Sequence, residues 1–554
     1  MKKDVFTYII GGKAGQGTKK AGIVAANFFT DLKREVFQMN HYPSLIRGGH
    51  NFSVVSTSTS KIFSHYMKAD LVVVLDQRSY NLHKNHVAKN GIMVFNSDKA
   101  KGKGISIPIS SEAKKYKNSD LIEGVAGIAV LAVMVGVFKK KLDEIIKKEY
   151  GRNVKDNIKF AHTIYDAANE KIVNKIILKK GDKKFANLSG SEAIGLGAAA
   201  TGLDLYFGYP MTPSTPVLHF FAGNGKKLGI VVVQPENEIA VANMAIGASF
   251  TGARSMVGTS GGGFCLMQEA FSLAGMVEAP VLFYIGQRPG PSTGVPTYTE
   301  QGELLFSLNP GQGEFPRIVA SPGSIEEAFY LTAELLNLVW RFQTPAILLS
   351  EKHLGESSMS ATINPSKTKW AVPVMHKGGQ YKRYLDTKDG VSPLLFPPSK
   401  MLIKWNSYEH DELGLTTEEP ELIAKMHDKR LRKQESLVNY LKKMHTINRF
   451  GKGEPWIFTF GSTTMSVLEA LDYGDINMTV VQPIYLKPFP IWELEGYKEN
   501  NAIVVEQNST GQLTSLLREK AGIEIKASIL KYDGCPFDPI DLASRIKEVV
   551  KVEC

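Results

Sequence analysis

Three short segments carry side chains suited to chemistry at the end of a strand. Tyr209-Pro210-Met211-Thr212-Pro213 is a loop in which two prolines restrict the backbone and leave Thr212 as a presented hydroxyl, unless it is no more than a rigid turn. Pro235-Glu236-Asn237-Glu238 sets two carboxylates ahead of an Ala-rich helical run, Ile239 to Phe250. Acids at a helix N-terminus are common for dipole and capping reasons, and that explanation suffices for either glutamate. Gln287-Arg288-Pro289-Gly290-Pro291-Ser292-Thr293-Gly294 offers an arginine after an apolar run. A guanidinium there clamps a carboxylate through two parallel hydrogen bonds, or forms an ion pair at a surface or interface.

These segments must be held by strands. Apolar runs predict strands at Leu205–Phe207, Ile230–Val233, Ser255–Gly258, Val281–Ile285 and Ala346–Leu349, with helices between them. This is the pattern of a doubly wound α/β domain over residues 186–361, whose loops at the carboxyl edge bind ligands. Residues 1–180 read as an earlier α/β domain with strands at Phe6–Ile10, Leu71–Leu75 and Ile92–Phe95, and a parallel sheet covered on both faces is expected. Residues 362–453 are a long connection ending in a charged helical stretch, Glu418 to Lys443, and residues 454–554 form a third compact α/β domain.

Gly11-Gly12-Lys13-Ala14-Gly15-Gln16-Gly17 follows the first strand and precedes a helix. Glycines let a backbone approach an anion closely, so a nicotinamide dinucleotide is one candidate ligand. The spacing is Gly-Gly-x-x-Gly-x-Gly rather than Gly-x-Gly-x-x-Gly, and Arg34-Glu35 is no clear strand-end acid. A tight turn without a ligand is the other local reading.

Composition sets outer limits. A chain of 554 residues with 43% hydrophobic and 22% charged content is ordinary for several globular domains. The longest apolar run, Val125 to Phe138, is too short for a bilayer span and is expected to be a buried helix. The first residues lack a signal-peptide pattern, so a cytoplasmic protein is expected. Three cysteines, none in a Cys-x-x-Cys pair, leave no disulfide framework and no self-contained four-cysteine iron–sulfur site. Glu409-His410-Asp411-Glu412 reads as a polar surface turn, because adjacent residues rarely converge on one ion, and no metal site is expected. The net charge of +11 accompanies no nucleic-acid motif, and its lysine runs read as solvated faces.

In this order and spacing, the segments from Tyr209 to Thr299 resemble the alpha subunit of the 2-oxoacid:ferredoxin oxidoreductases. In that family the region is the pyrimidine-binding domain for thiamine diphosphate. The usual family form is Tyr-Pro-Ile-Thr-Pro, and Met211 is a conservative departure that leaves Thr212 in place. The first glycine loop, with Tyr42-Pro43-Ser44-Leu45-Ile46-Arg47-Gly48-Gly49-His50-Asn51, resembles the family's gamma domain, associated with the coenzyme A step. Gly461-Ser462-Thr463, Leu486-Lys487-Pro488-Phe489-Pro490, Glu506 to Leu513 and Asp533-Gly534-Cys535-Pro536-Phe537 resemble the transketolase C-terminal-type domain, which is architectural.

The resemblance implies a fused gamma–alpha subunit, of α/β class, with three doubly wound or parallel-sheet domains. Counting back from Gly247-Ala248, it puts the catalytic glutamate at Glu238, with Arg288 on the substrate carboxylate and Thr212 assisting. Thiamine enzymes use such a glutamate as partner to a pyrimidine ring nitrogen. Tyr209 and Pro210 fall on the pyrimidine side of the cofactor, and Gly15, Gly17, Arg47, Gly48 and Gly49 at a coenzyme A or gamma-domain interface. The family's Gly-Asp-Gly, which begins the magnesium–diphosphate site, and its [4Fe–4S] cysteines are missing here; a beta subunit supplies both. The implied reaction converts a 2-oxoacid, coenzyme A and oxidised ferredoxin into acyl-CoA, carbon dioxide and reduced ferredoxin. 2-Oxoglutarate is the favoured substrate, with pyruvate or a branched-chain 2-oxoacid as alternatives. The expected assembly is an alpha–beta heterodimer or its dimer, without nucleic acid or membrane. A nicotinamide-dependent dehydrogenase and a non-catalytic scaffold are the competing readings from other classes.

Overall fold

A computed structural model of the chain describes residues 3–44, 49–497 and 502–553. The first sheet is built from β1 (Phe6–Gly12), β2 (Glu35–His41), β3 (Asn51–Ser58), β4 (Ala69–Val74), β5 (Val87–Asn96) and β6 (Ile105–Ile107), in the order β6-β5-β4-β1-β3-β2. From β1 to β6 the pairing is parallel, whereas β3 lies antiparallel to β1 and β2 antiparallel to β3. The sheet is therefore mixed, not wholly parallel as expected. The strand after the glycine loop and its helix, Thr18–Asp31, does not lie beside β1; a hairpin partner, β3, takes that place.

Alternation along β1 divides its side chains between two cores. Tyr8 and Ile10 pack against the helices Thr18–Asp31, Ser119–Met134 and Val154–Asn169. The apolar run from Val125 is buried inside the second of these. Ile9, Phe37 and Val54 point the other way and share a core with Tyr206, Leu348, Leu354 and Met359. That face is covered mainly by the next layer of the chain, with the short helix Gln77–His83 of the first domain adding Tyr80.

The second sheet begins after β7 (Ala186–Ser189) with β8 (Leu205–Gly208), β9 (Val231–Val233), β10 (Ser255–Thr259), β11 (Val281–Gln287), β12 (Ile318–Ala320) and β13 (Ala346–Glu351). These six strands are parallel, in the order β12-β13-β11-β10-β8-β9. The chain moves from β8 to β9 on one side and to β10 on the other, so the carboxyl ends of β8 and β10 flank a switch point. β14 (Ser358–Ala361) and β7 leave this sheet and extend the first beyond β2.

The third sheet contains β15 (Ile447–Phe450), β16 (Trp456–Phe458) and β17 (Thr479–Pro483), joined after the departing β18 (Tyr485–Lys487) by β19 (Ala502–Glu506) and β20 (Ile525–Leu530). β18 pairs with the edge of the second sheet at β12, so each sheet boundary is crossed by a strand.

The charged stretch after residue 418 forms the helix Pro420–Leu441. It buries Lys429 and Lys433, whose ammonium groups both bond Glu278. The four residues from Glu409 diverge: Glu409 pairs with Arg430 and Glu412 with Lys382, while His410 is fully buried against Tyr384. His410 thus departs from the expected surface turn. No described helix is long and apolar enough to cross a membrane.

Candidate active site

The loops carrying Thr212, Glu238 and Arg288 leave the carboxyl ends of β8, β9 and β11. Pro213 reaches across the sheet to Gly286 near the end of β11, where a Cβ would stand 3.0 Å from its ring. Arg288 is 7% exposed, and its Nη1 donates to the Thr212 carbonyl at 2.6 Å. These two residues are therefore in direct contact. Tyr209 and Pro210, earlier in the same loop, are exposed.

The two glutamates of Pro235–Glu238 separate sharply. Glu236 is exposed, and the helix Glu238–Phe250 is capped by Asn237, whose Oδ1 accepts from the Ala240 amide at 2.9 Å. Glu238 does not perform that cap. Its side chain is buried, and Oε1 has no hydrogen-bond partner among the described residues. It lies under the turn after β10, where a Cβ on Gly263 would sit 2.6 Å from that oxygen and 2.1 Å from Thr259 Oγ1. Only glycine leaves room for the carboxylate there. A buried acceptor without a donor is costly unless a ligand satisfies it. A protonated ring nitrogen of an aminopyrimidine is a donor of the required kind, so the residues present fit the pyrimidine end of thiamine diphosphate.

Sequence reasoning missed a second carboxyl on the same turn. Glu303 Oε1 occupies the space beside Gly261, where a Cβ would lie 2.1 Å away. Its amide donates to Gln287 Oε1 at 3.0 Å. Burial, reinforced by the Glu300 carboxylate, pushes its pKa up to about 8, with Arg288 pulling the other way. Glu303 follows no motif singled out in the sequence; a carboxylate just before the apolar helix Leu304–Leu308 reads there as an ordinary N-terminal acid.

Gln301 was missed for the same reason. Its Nε2 donates to the Phe460 carbonyl at 2.8 Å, while its Oε1 accepts from Thr463 Oγ1 at 2.8 Å and the Gln507 amide at 3.0 Å. Thr299 adds a backbone bond to Gly534 at 2.9 Å, and Tyr298 packs edge-on against His41 of the first sheet at 4.8 Å. The segment after Arg288 is thus gripped by the first and third sheets together.

The first glycine loop stands apart. Gly17 has a left-handed φ of 72° and precedes the helix Thr18–Asp31. Gly15 is exposed, while Gln16 folds inward, accepting from the Lys13 amide at 2.6 Å and donating to the buried Glu123. An acid beneath the loop and the lack of a β1–helix–parallel-strand unit both oppose a dinucleotide diphosphate there. Gly49 packs on Pro43, where a Cβ would be 2.2 Å from the ring, while Arg47 and Gly48 lie outside the described residues.

Comparison with known proteins matches this layout. Residues 196–429 fit the family model "Pyruvate flavodoxin/ferredoxin oxidoreductase, thiamine diP-bdg", and residues 7–167 fit "Pyruvate ferredoxin/flavodoxin oxidoreductase". The 2-oxoacid:ferredoxin oxidoreductase 2 alpha subunit of Aeropyrum pernix is 29% identical over 98% of this chain and 97% of its own. This chain belongs to the 2-oxoacid:ferredoxin oxidoreductase alpha subunits. The alpha subunit also resembles the solved 2-oxoglutarate:ferredoxin oxidoreductase of Magnetococcus marinus, described with 2-oxoglutarate, coenzyme A and succinyl-CoA bound. That likeness has a TM-score of 0.90 at 28% identity and covers 99% of this chain and 100% of the other. A 2-oxoglutarate synthase subunit of Archaeoglobus fulgidus is 40% identical over 32% of the alpha subunit and 51% of its own length. The alpha subunit is part of an oxidoreductase and contains a thiamine-diphosphate-binding domain.

Proposed function

We propose that the alpha subunit works in the cytoplasm with a beta subunit to decarboxylate 2-oxoglutarate oxidatively, yielding the acyl-CoA and carbon dioxide and passing electrons to ferredoxin. The beta subunit holds the magnesium–diphosphate end of the cofactor and a [4Fe–4S] cluster; the pair assembles as an alpha–beta heterodimer or its dimer. One observation carries the catalytic part of this reading: a buried glutamate oxygen without a donor among the described residues stands among the strand-end loops that also join Thr212 to Arg288. The preference for 2-oxoglutarate is supported by the ligands of the Magnetococcus marinus enzyme and by the Archaeoglobus fulgidus relative.

Thiamine diphosphate, when bound, supplies an electron sink for loss of the carboxylate carbon. Glu238 holds a proton between its Oε1 and the pyrimidine ring nitrogen, and its burial keeps water from competing for that bond. Arg288, tethered by one Nη atom to the Thr212 carbonyl, has its remaining donors for the 2-oxoacid carboxylate. The Thr212 hydroxyl assists at the same carboxylate. Tyr209 and Pro210 line the pyrimidine side. Gly15, Gly17 and Gly49 belong to a gamma-type surface that serves coenzyme A, the role also assigned to Arg47 and Gly48, which lie outside the described residues.

The test is to purify the alpha subunit with its beta partner and assay a panel of 2-oxoacids with coenzyme A and viologen. The highest kcat/KM is expected for 2-oxoglutarate. A clear preference for pyruvate or a branched-chain acid would overturn the substrate assignment while leaving the reaction class standing.

A further inference from the structure

We propose that Glu303 is a positioning residue for the substrate anion: its carboxyl is neutral while a 2-oxoacid carboxylate lies on Arg288, and its ionisation displaces that anion. The inference deepens the proposed function and rests on Arg288 as the carboxylate clamp. The geometry supports it in three ways. First, the side chain is seated by the fold, with Oε1 in the space left by Gly261 and its amide held by Gln287 Oε1. Second, Glu303 Oε2 is buried and has no hydrogen-bond partner among the described residues. The Arg288 amide favours the charged form, but Oε2 receives no donor, and burying an uncompensated charge costs more than burying an unpaired neutral carboxyl. Third, the Arg288 guanidinium lies close enough to act on Glu303 through its charge but makes no hydrogen bond to it among the described residues; its Nη1 donates to the Thr212 carbonyl.

The groups facing Glu303 are few. Arg288 comes from the end of β11 and favours ionisation, and Glu300 on the same loop opposes it. The helix Gly261–Leu266 presents Gly261. The helix Gln512–Ala521 presents the neutral Gln512, whose Nε2 donates to the Gly302 carbonyl and whose Oε1 accepts from the Leu305 amide. Glu351 at the end of β13 turns away to Ser462 and Gln301. The balance holds Glu303 protonated up to about pH 8. A bound substrate brings another negative charge to Arg288 and raises the cost of ionising Glu303 further. Conversely, an ionised Glu303 already supplies Arg288 with a counter-charge, and the substrate carboxylate then enters against a like charge.

The consequence is read on the assembled enzyme. Below about pH 8 the KM for the 2-oxoacid is expected to be flat, and above it to rise about tenfold per pH unit, with kcat little changed. Glu303→Gln, which cannot ionise, abolishes that rise. A wild-type KM that stays flat across this range, or a rise that persists in Glu303→Gln, overturns the proposal. A second measurement needs no variant. Calorimetric titration of the wild-type complex with oxamate, at about pH 8.5 in buffers of different ionisation enthalpy, should show net proton uptake that vanishes at about pH 6.5. Absence of uptake at the higher pH counts against Glu303 whatever the fate of the variant. Arg288→Gln separates the two layers: if oxamate affinity survives it, the clamp itself is wrong and the role of Glu303 falls with it. If affinity is lost but proton uptake in the wild type is absent, only the role of Glu303 fails.

Discussion

Glu238 and Glu236 are two residues apart, yet one turns into the protein and the other into solvent. The strand-to-helix turn brings only the second of the two acids inward, and Asn237 performs the cap that either acid could have supplied. We expect Glu238→Gln to keep the fold while lowering kcat by at least ~10²–10⁴-fold, because glutamine matches the shape but cannot take a proton. Circular dichroism and steady-state kinetics on the assembled enzyme check both halves; activity within a few-fold of wild type would move the role to another acid. Arg288→Lys keeps a charge but loses the planar fork. A loss of about ten- to a hundredfold in kcat/KM for the 2-oxoacid is expected, corresponding to roughly 1.5–3 kcal/mol for a charged hydrogen bond. Thiamine diphosphate affinity should be largely spared. Weakened cofactor binding with an unchanged kcat/KM would mark Arg288 as structural.

Among elements, the join between the second and third sheets decides how firmly the segment after Arg288 is held. Gln301 and Glu351 are its hub: Glu351 accepts from the Ser462 amide, and a Cβ on Gly461 would stand 2.8 Å from the same oxygen. Burial pushes the Glu351 pKa up to about 7, with the Ser462 and Gln301 hydrogen bonds opposing the shift. In the unfolded chain an ordinary glutamate titrates near 4.5. The native state therefore binds the extra proton between these values. Its stabilising contribution is complete below pH 4.5 and is lost as pH rises through about 7. Over the two pH units centred on 7, the loss is on the order of 1 kcal/mol. We expect Glu351→Gln to remove that part of the decline, seen as a smaller fall in Tm between pH 6 and pH 8 than in wild type (about one unit either side of the shifted value). Equal slopes for the two proteins would show that Glu351 does not titrate in this interval.

For the whole molecule, the pyrimidine-side loop leaves Tyr209 and Pro210 exposed, and the sequence lacks both a Gly-Asp-Gly segment and clustered cysteines. In the function proposed above, the alpha subunit grips one end of the cofactor and a partner holds the other. Expressed by itself, the alpha subunit is expected to contain no iron or acid-labile sulfide and to show no 2-oxoacid oxidation with viologen. Stoichiometric iron–sulfur content, or turnover without a beta subunit, would refute the division of labour. Co-expression with the beta subunit should restore both.

The sequence by itself determined what local chemistry can write. Buried strands appear as short apolar runs, strand-end loops as Pro- and Gly-rich punctuation, and the placing of Thr212, Glu238 and Arg288 after β8, β9 and β11 follows from a parallel sheet with helical crossovers. The family motifs then singled out Glu238 from Glu236. Pairings distant in sequence were settled only by tertiary structure. β3 intrudes beside β1, β7 and β14 cross to the first sheet, and β18 crosses to the second, because each exposed sheet edge offers unpaired backbone groups to whichever strand the chain brings near. The same holds for Glu303, Gln301 and Glu351. Their importance lies in partners on other elements: the absent Cβ of Gly261, and the backbone or side chains of Phe460, Ser462 and Gln507. Desolvation acts on a side chain through everything packed around it, and that environment exists only once the chain has folded.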